Sequence, residues 1–374
     1  HTCCSHDGSA KNIKNSAEAP PTSPALGGSC LSCLRNYTGQ DREAGDLLLL
    51  SLDLSNVITV WNLSSPSSYN SETTDDTKDR ISTPPASQFT IPNATGTTAE
   101  LLPPRLASTG NPASPLETVV VVAVGCLDGT VSLVSTGIPV FNPHHKQQQQ
   151  QQQQSKQFTP PAGTILETWG SPNGNPSADI PLSLSWNPVQ PLTLAVGRGS
   201  GRVEVFSQSS AGNVLKHFRL PHLGTQAPTR AVTFSTDGGL MIGGNDQGRL
   251  CVWDCSLKSQ DDETNSKSTQ LTAPALVHHT TAPSTSSWIL RLVALDERRF
   301  ATLQANQTLH IYNVTQLHTP VHTFQSNQGL WSLALYNSDN SKSSRIGSAG
   351  SGAAPRLVSG SDNGWLEVFS LEVN

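Results

Sequence analysis

Charged residues are scarce in this sequence, and methionine is nearly absent. Asp, Glu, Lys and Arg make up 14% of the 374 residues, against about 25% in an average globular domain. The net charge of −5 and the lack of a dense basic run disfavour a protein that binds nucleic acid through bulk positive charge. Because Glu, Lys and Met are few, helical repeats are disfavoured too. Ser, Thr, Gly, Pro, Asn and Gln dominate instead, and they are typical of strands and turns.

Long apolar segments are also missing. A membrane-spanning helix needs about 20 consecutive apolar residues, and no run in the sequence approaches that length. The first 28 residues contain no apolar segment of the kind found in signal peptides. Without such a signal the N-glycosylation sequons, for example at Asn36 and Asn313, carry little weight. The sequence therefore predicts a protein of the cytoplasm and nucleus.

Cysteine and histidine give no pattern of a metal or redox centre. The seven cysteines are an odd and low number, which argues against a disulfide framework. Cys30 and Cys33 have CxxC spacing, but a zinc site needs a second closely spaced pair. The pairs His144–His145 and His278–His279 are poor chelates, because neighbouring side chains on a strand point to opposite faces. No metal and no cofactor are expected.

Four polar segments are predicted to be disordered insertions. Each has too few large apolar residues to offset the entropy of ordering it, and one contains eight consecutive glutamines, 147–154. The predicted insertions lie near 64–115, 142–161, 256–274 and 338–354. A disordered N-terminal segment, 1–29, is expected to precede a single folded domain, 30–374.

One pattern recurs six times between the insertions. A turn residue (Gly, Asn or Gln) is followed by alternating apolar residues and a large terminal residue. This period of two, together with the β-branched content, predicts a half-buried strand. The six instances are 56–61, 129–134, 201–206, 248–253, 307–312 and 364–369.

The spacing of these strands indicates a propeller. Their ends lie 73, 72, 47, 59 and 57 residues apart. When the insertions are left out, the spacing approaches that of a four-stranded blade, which is about 40–45 residues. The clearest unit contains strands at 229–235, 240–244 and 249–254, joined by turns at Asp237-Gly238 and at 245–248 that need positive φ. Such short repeats bury a core only by stacking on their neighbours. The sequence therefore predicts an all-β propeller with six visible blades.

The same residues carry a family resemblance. Val252-Trp253-Asp254 closes a strand that follows Phe234 to Gly238, and this resembles the WD-repeat signature. The Gly-His pair of well-formed repeats is missing, so no buried Asp-His-Ser network is expected.

A more specific likeness covers about 200 residues, mostly in the last three repeats. The order of these segments resembles the family of WD-repeat subunits of the superkiller (Ski) complex. The segments are 228–235, 287–290, 320–324, 329–332, 356–360 and 366–369, with 51–53 ahead of the Trp61 strand. That family has seven blades, so the resemblance implies that the first blade lies upstream of His1.

The resemblance also implies a function. Members are non-catalytic scaffolds that bind a tetratricopeptide-repeat scaffold protein and a DExH RNA helicase. Their complex assists 3′-to-5′ RNA decay by the cytoplasmic exosome, and members also serve in meiotic recombination and transcription-elongation complexes. No direct nucleic-acid or membrane contact is expected. The alternatives are a WD-repeat adaptor of another complex, such as a ubiquitin-ligase substrate receptor, a propeller enzyme, or a secreted glycosylated propeller.

The search for catalytic motifs supports a binding role. The sequence has no nucleophile elbow, phosphate loop or His-Glu-x-x-His motif. In a propeller the residues just before each innermost strand lie on the top face, where Trp and Arg contribute most to partner binding. Trp288 and Trp331 have the alternative of packing between blades, whereas Trp186 and Phe234 are assigned to the core. The predicted protein-binding residues are Asp179, Thr229, Arg230, Ser287, Trp288, Leu330 and Trp331.

Overall fold

Strands account for nearly all of the regular structure. The only helix among the described residues is the four-residue α1 (Pro115–Thr118), and no helix there is long and apolar enough to cross a membrane. The computed structural model describes residues 31–36, 47–53, 55–62, 85–92, 94–103, 114–140, 159–170, 179–208, 215–220, 226–256, 258–259, 269–270, 273–280, 287–336, 356–362 and 365–371.

Six antiparallel sheets follow one another along the chain, and we call them blades I to VI. Blade I contains β1 (Leu31–Asn36), β2 (Leu47–Leu52), β3 (Val57–Asn62) and β4 (Ser87–Thr90). Blade II contains β5 (Gly96–Leu102), β6 (Val119–Cys126), β7 (Val131–Pro139) and β8 (Ile165–Trp169). Blade III contains β9 (Pro181–Trp186), β10 (Thr193–Arg198), β11 (Val203–Gln208) and β12 (Leu215–Leu220).

The last three blades include a short side ribbon. Blade IV contains β13 (Thr229–Phe234), β14 (Leu240–Asn245), β15 (Leu250–Asp254) and β18 (Ala275–His279), and the ribbon is β16 (Lys258–Ser259) paired with β17 (Thr269–Gln270). Blade V contains β19 (Ile289–Ala294), β20 (Arg299–Gln304), β21 (Thr308–Asn313) and β22 (His322–Gln325). Blade VI contains three described strands, β23 (Ala334–Tyr336), β24 (Arg356–Gly360) and β25 (Leu366–Ser370).

The blades form a β-propeller around a central channel. The first strands of consecutive blades contact each other from β5 to β23, and residues of the first strands of blades II to VI line a cavity of about 330 Å³. The six alternating segments predicted from the sequence are the third strands of the six blades, so the all-β propeller is confirmed. The expected seventh blade would precede this sequence and stays a prediction.

The core consists of five apolar layers, each lying between two consecutive blades. Blade IV shows how one strand serves two layers. Cys251 and Trp253 pack toward blade III, whereas Leu250 and Val252 pack toward blade V, because successive side chains of a strand point to opposite faces. The predicted core residues Trp186 and Phe234 are 1% and 3% exposed. Within the described ranges, no apolar layer joins blade VI to blade I.

One expected insertion contains two strands. The segment 64–115 was predicted to be disordered, but β4 and β5 lie within it. A few apolar residues suffice for these strands: Phe89, Ala99 and Leu101 are buried between blades I and II. The average polarity of the segment hid this short pattern. The ribbon β16–β17 also falls inside an expected insertion, 256–274, while 1–29, 142–158 and 338–354 lie outside the described residues.

The turn between the second and third strands has one recurrent conformation. A residue with φ between 63° and 88° stands there in each of blades I to V, in the left-handed region that favours glycine. The residues are Asn56, Gly129, Gly201, Gly248 and Gln307. The positive φ predicted at the turns of blade IV is confirmed at Gly238 and Gly248.

Replacing Gln307 with Gly is expected to stabilise the protein by about 0.5–1 kcal/mol, since a side chain in the left-handed region is strained. Urea unfolding measures the change. Asn56→Gly is the matched control and should destabilise, because the Asn56 side chain donates to the Ala94 carbonyl at 2.6 Å and accepts from the Gly96 amide at 2.7 Å. Loss of stability in Gln307→Gly would contradict the assigned strain.

Candidate protein-binding surface

The top face is formed by equivalent parts of each blade. Because the strands are antiparallel, the start of the first strand and the turn between the second and third strands lie at the same end. In blades II to VI a backbone hydrogen bond joins these two parts. An amide of the turn donates to the carbonyl of a residue near the start of the first strand. In blade V the donor is Ala305 and the acceptor is Trp288, at 2.9 Å. This bond fixes Trp288 on the top face.

A β-bulge recurs near the start of the first strand. In blade IV, Thr229 pairs with Asn245 and Ala231 pairs with Gly244, so Arg230 is the extra residue. In blade VI the amides of Trp331 and Ser332 both donate to the Gly360 carbonyl, at 2.9 and 3.4 Å. A bulge re-aims the side chain of the extra residue. Arg230 and Trp331 therefore occupy equivalent, outward positions.

Two of the predicted tryptophans are exposed on this face. Trp288 is 46% exposed and Trp331 is 57% exposed. The guanidinium carbon of Arg230 lies 5.0 Å from the centre of the Trp288 ring, which is cation–π geometry across blades IV and V. Their exposure favours the surface alternative over packing between blades.

Arg230 is held in place by Asp246. Its Nε donates to Asp246 Oδ1 at 2.6 Å. Burial raises the pKa of the Asp246 carboxyl, and the hydrogen bond and charge of Arg230 offset this only in part. The ion pair leaves one face of the guanidinium on the Trp288 ring, so Arg230 and Trp288 form a preorganised pair.

Trp365 is a third exposed tryptophan, and it is not among the predicted protein-binding residues. It lies in the top-face turn before β25 and is 69% exposed. Its amide donates to Ser361 Oγ at 3.0 Å. The same turn position holds Thr130 in blade II and Arg249 in blade IV, so the signal in the sequence was an aromatic residue where blades II to V have a polar one. We call Arg230, Trp288, Trp331 and Trp365 the tryptophan surface.

Four of the predicted residues do not join the tryptophan surface. Thr229 and Leu330 are 0% and 2% exposed, because the residue before the bulge points inward. This burial removes both from the set of contact residues. Asp179 Oδ1 accepts from the Ser200 amide at 3.2 Å, and Ser287 Oγ accepts from the Asn306 amide at 2.9 Å. These two side chains hold top-face turns in position.

A buried ion pair supports the top face between blades II and III. The Arg198 guanidinium donates to Glu204 through Nε at 2.9 Å and also through Nη2. Its Nη1 donates to the carbonyl oxygens of Gly129, at 2.6 Å, and Asp179, at 3.1 Å. Arg198 and Glu204 side chains are 3% and 5% exposed. Arg198 thus ties a turn of blade II to blade III.

The surroundings of Glu204 keep it ionised. Burial by itself would raise the pKa of this carboxyl, but the hydrogen bond from His217 and the charge of Arg198 outweigh it and lower the pKa to about 2. His217 Nε2 lies 3.4 Å and Arg219 Nε 3.3 Å from the carboxylate. The carboxylate therefore has two arginines, Arg198 and Arg219, and the His217 ring around it.

The described side chains offer no cluster suited to catalysis with a metal. No group of three or more His, Cys, Asp or Glu side chains that could hold a metal ion occurs among them. The described free thiols are Cys126, Cys251 and Cys255, all buried. Burial raises the pKa of Cys251 and of Cys255 to about 12, so neither is a nucleophilic thiolate at neutral pH. The CxxC pair lies outside the described side chains.

Comparison with solved structures shows the fold. The β-propeller domain of Cps50 (Swd1) from Myceliophteria thermophila superposes with a TM-score of 0.50 and 11% identity, covering 87% of this chain and 80% of that chain. Raptor from Chaetomium thermophilum gives a TM-score of 0.49 and 12% identity, covering 87% of this chain and 23% of that chain. No protein-family model and no curated protein matches the sequence.

Proposed function

We propose that this protein is a WD-repeat scaffold without catalytic activity that binds partner proteins on the top face of its propeller. The observation that carries the proposal is the tryptophan surface. Large aromatic side chains exposed beside a positioned arginine are the groups that contribute most to protein–protein binding. Arg230 and Trp331 stand on bulges, Trp365 stands on a turn, and Trp288 is held by the hydrogen bond from the Ala305 amide to its carbonyl, so presenting them requires no rearrangement.

The proposed complex is the superkiller complex. The order of segments in the last three repeats supports this assignment. The expected partners are a tetratricopeptide-repeat scaffold protein and a DExH RNA helicase, and the expected role is to assist exosome-mediated RNA decay in the cytoplasm. A nuclear role in meiotic recombination or transcription elongation belongs to the same proposal.

Affinity purification of the protein from a native extract tests this assignment. Mass spectrometry should find the helicase and the tetratricopeptide-repeat protein retained together. The matched control is the Trp331→Ala variant, which should retain less of both. Retention of a ubiquitin ligase with neither expected partner would contradict the assignment to the Ski complex while leaving the binding surface in place.

A further inference from the structure

The side chains of the tryptophan surface donate hydrogen bonds and accept none, since Arg and Trp side chains carry only N–H donors. Arg230 uses its Nε on Asp246 Oδ1, and its two Nη groups donate to no described residue. Within the described ranges the indole N–H groups of Trp288 and Trp331 have no acceptor either. A partner that covers this surface must therefore supply acceptors, because a donor that is buried without one is costly.

The acceptors beside these donors are already engaged within the protein. Asp246 Oδ1 accepts from Arg230 Nε at 2.6 Å, and the Asp246 side chain is 11% exposed. Ser287 Oγ, next to Trp288, accepts from the Asn306 amide at 2.9 Å. The donors of a partner's Lys or Arg would thus find few acceptors here, whereas a carboxylate would find several donors.

The top end of blade IV also carries a positive charge. Its described residues, 226–230 and 245–249, contain two arginines and one aspartate, which gives a net charge of +1. The second arginine, Arg249, stands directly before β15, and its buried Nε has no hydrogen-bond partner in the described part of the chain. Arg230 and Arg249 together outweigh Asp246, so this end of the blade attracts one negative charge.

Blade VI has the opposite sign at the same end. Its described residues there, 326–332, 361–362 and 365, contain one charged side chain, that of Asp362, which is exposed. The top face therefore runs from a positive end at blade IV, across Trp288 of blade V, to Trp331 and a negative charge at blade VI.

We infer that the tryptophan surface binds a partner segment that has an Asp or Glu side chain at one end and apolar side chains after it. The inference rests on the proposed function and names the chemistry of the partner. The carboxylate accepts from the Nη groups of Arg230, since a planar guanidinium binds a carboxylate with directed hydrogen bonds. The apolar side chains cover the rings of Trp288 and Trp331, so no second acidic group faces Asp362.

A carboxylate fits this place better than a phosphate does. Asp246 Oδ1 lies 2.6 Å from the Nε of the same guanidinium. A phosphate monoester carries a charge of about −1.5 to −2 at neutral pH, and this charge would be repelled by Asp246. A single negative charge matches the net charge of the described top end of blade IV.

Selection of random displayed peptides on the full chain tests the inference. Peptides of about 12 residues span about 40 Å when extended. The recovered peptides should be enriched in a single Asp or Glu followed by aliphatic or aromatic residues. Replacing that acidic residue by its amide should weaken binding by about 10- to 100-fold, the loss expected for a hydrogen-bonded charge pair. Added salt should weaken the acidic peptide more than the amide peptide.

Variants of Arg230 locate the carboxylate. Arg230→Met should weaken the acidic peptide by a similar factor and the amide peptide much less. Because this change leaves the Asp246 carboxyl unpaired, the double variant Arg230→Met, Asp246→Asn is measured beside it. The double variant should lose peptide binding to the same extent and unfold at the temperature of the wild type. The matched control is Arg298→Met, at an exposed side chain on the other end of blade V, which should bind both peptides as the wild type does.

The outcomes separate this inference from the proposed function. Enrichment of Lys or Arg, or equal binding of the acidic and amide peptides, would overturn the inference while binding on the top face stands. Tighter binding of a peptide with phosphoserine in place of the acidic residue would overturn the choice of a carboxylate. If the peptides bind the Trp288→Ala, Trp331→Ala variant as well as the wild type, or if none is recovered, the proposed function fails together with the inference.

Discussion

The double variant Trp288→Ala, Trp331→Ala is expected to lose partner capture almost completely. An exposed tryptophan that becomes fully buried in an interface contributes about 2 kcal/mol or more, which is about 30-fold in affinity for each residue. The folded state should be little affected, because both side chains are about half exposed in the free protein. Quantitative affinity purification measures the capture, and thermal unfolding measured alongside reports the fold.

The control for this prediction is Val189→Ala, which removes an equally exposed apolar side chain from the other face of the propeller. It should leave capture unchanged. Arg230 remains paired with Asp246 in the double variant. Loss of the cation–π contact should therefore lower the free energy of unfolding by only about 0.5–1 kcal/mol. A large drop in the unfolding temperature would show that the tryptophans are packing residues after all.

The second large effect is expected at the buried ion pair. Arg198→Met should destabilise the protein by about 3–5 kcal/mol, because Glu204 would remain buried without its main partner. The exposed Arg298→Met, a change at an arginine far from Glu204, is the matched control and should change the free energy of unfolding by less than about 0.5 kcal/mol. The combined variant Arg198→Met, Glu204→Leu should lose less than the single change, since no unpaired charge is left. If all three variants unfold at the same urea concentration, the pair has no structural role.

The same pair gives the stability a pH dependence. The pKa of Glu204 is about 2 in the folded protein against 4.5 for an ordinary glutamate. A lowered pKa stabilises the folded state above the ordinary value, and the stabilisation is lost as the pH falls from 4.5 through 2. The difference corresponds to about 3 kcal/mol. Glu204→Gln should remove this part of the acid sensitivity, and urea unfolding at pH 7 and at pH 3 measures it.

The strands were predictable from the sequence because their signal is local. In Gly248 to Trp253, six residues contain both the turn and the alternation, and the structure places them as predicted. The strand β5 was missed because its apolar residues lie within a long polar segment. Helix α1 is too short to give a periodic signal.

The candidate surface was predictable only in part, because it depends on register. Thr229 and Arg230 are neighbours in the sequence, yet one is buried and the other faces the Trp288 ring. The bulge that separates them follows from pairing with Asn245 and Gly244. Likewise, nothing local in the sequence indicates that Arg198 reaches the Gly129 carbonyl in another blade. Contacts between blades depend on the three-dimensional arrangement and are not visible in the local sequence.

Hydroxyl-radical footprinting of the tryptophans, in the free protein and in the purified complex, tests the central claim most directly. The account predicts strong labelling of Trp288 and Trp331 in the free protein and protection of both in the complex. Trp186 and Trp253, which are each 1% exposed, should stay unlabelled in both states. Equal labelling of Trp288 and Trp331 with and without partners would contradict a binding role for the top face.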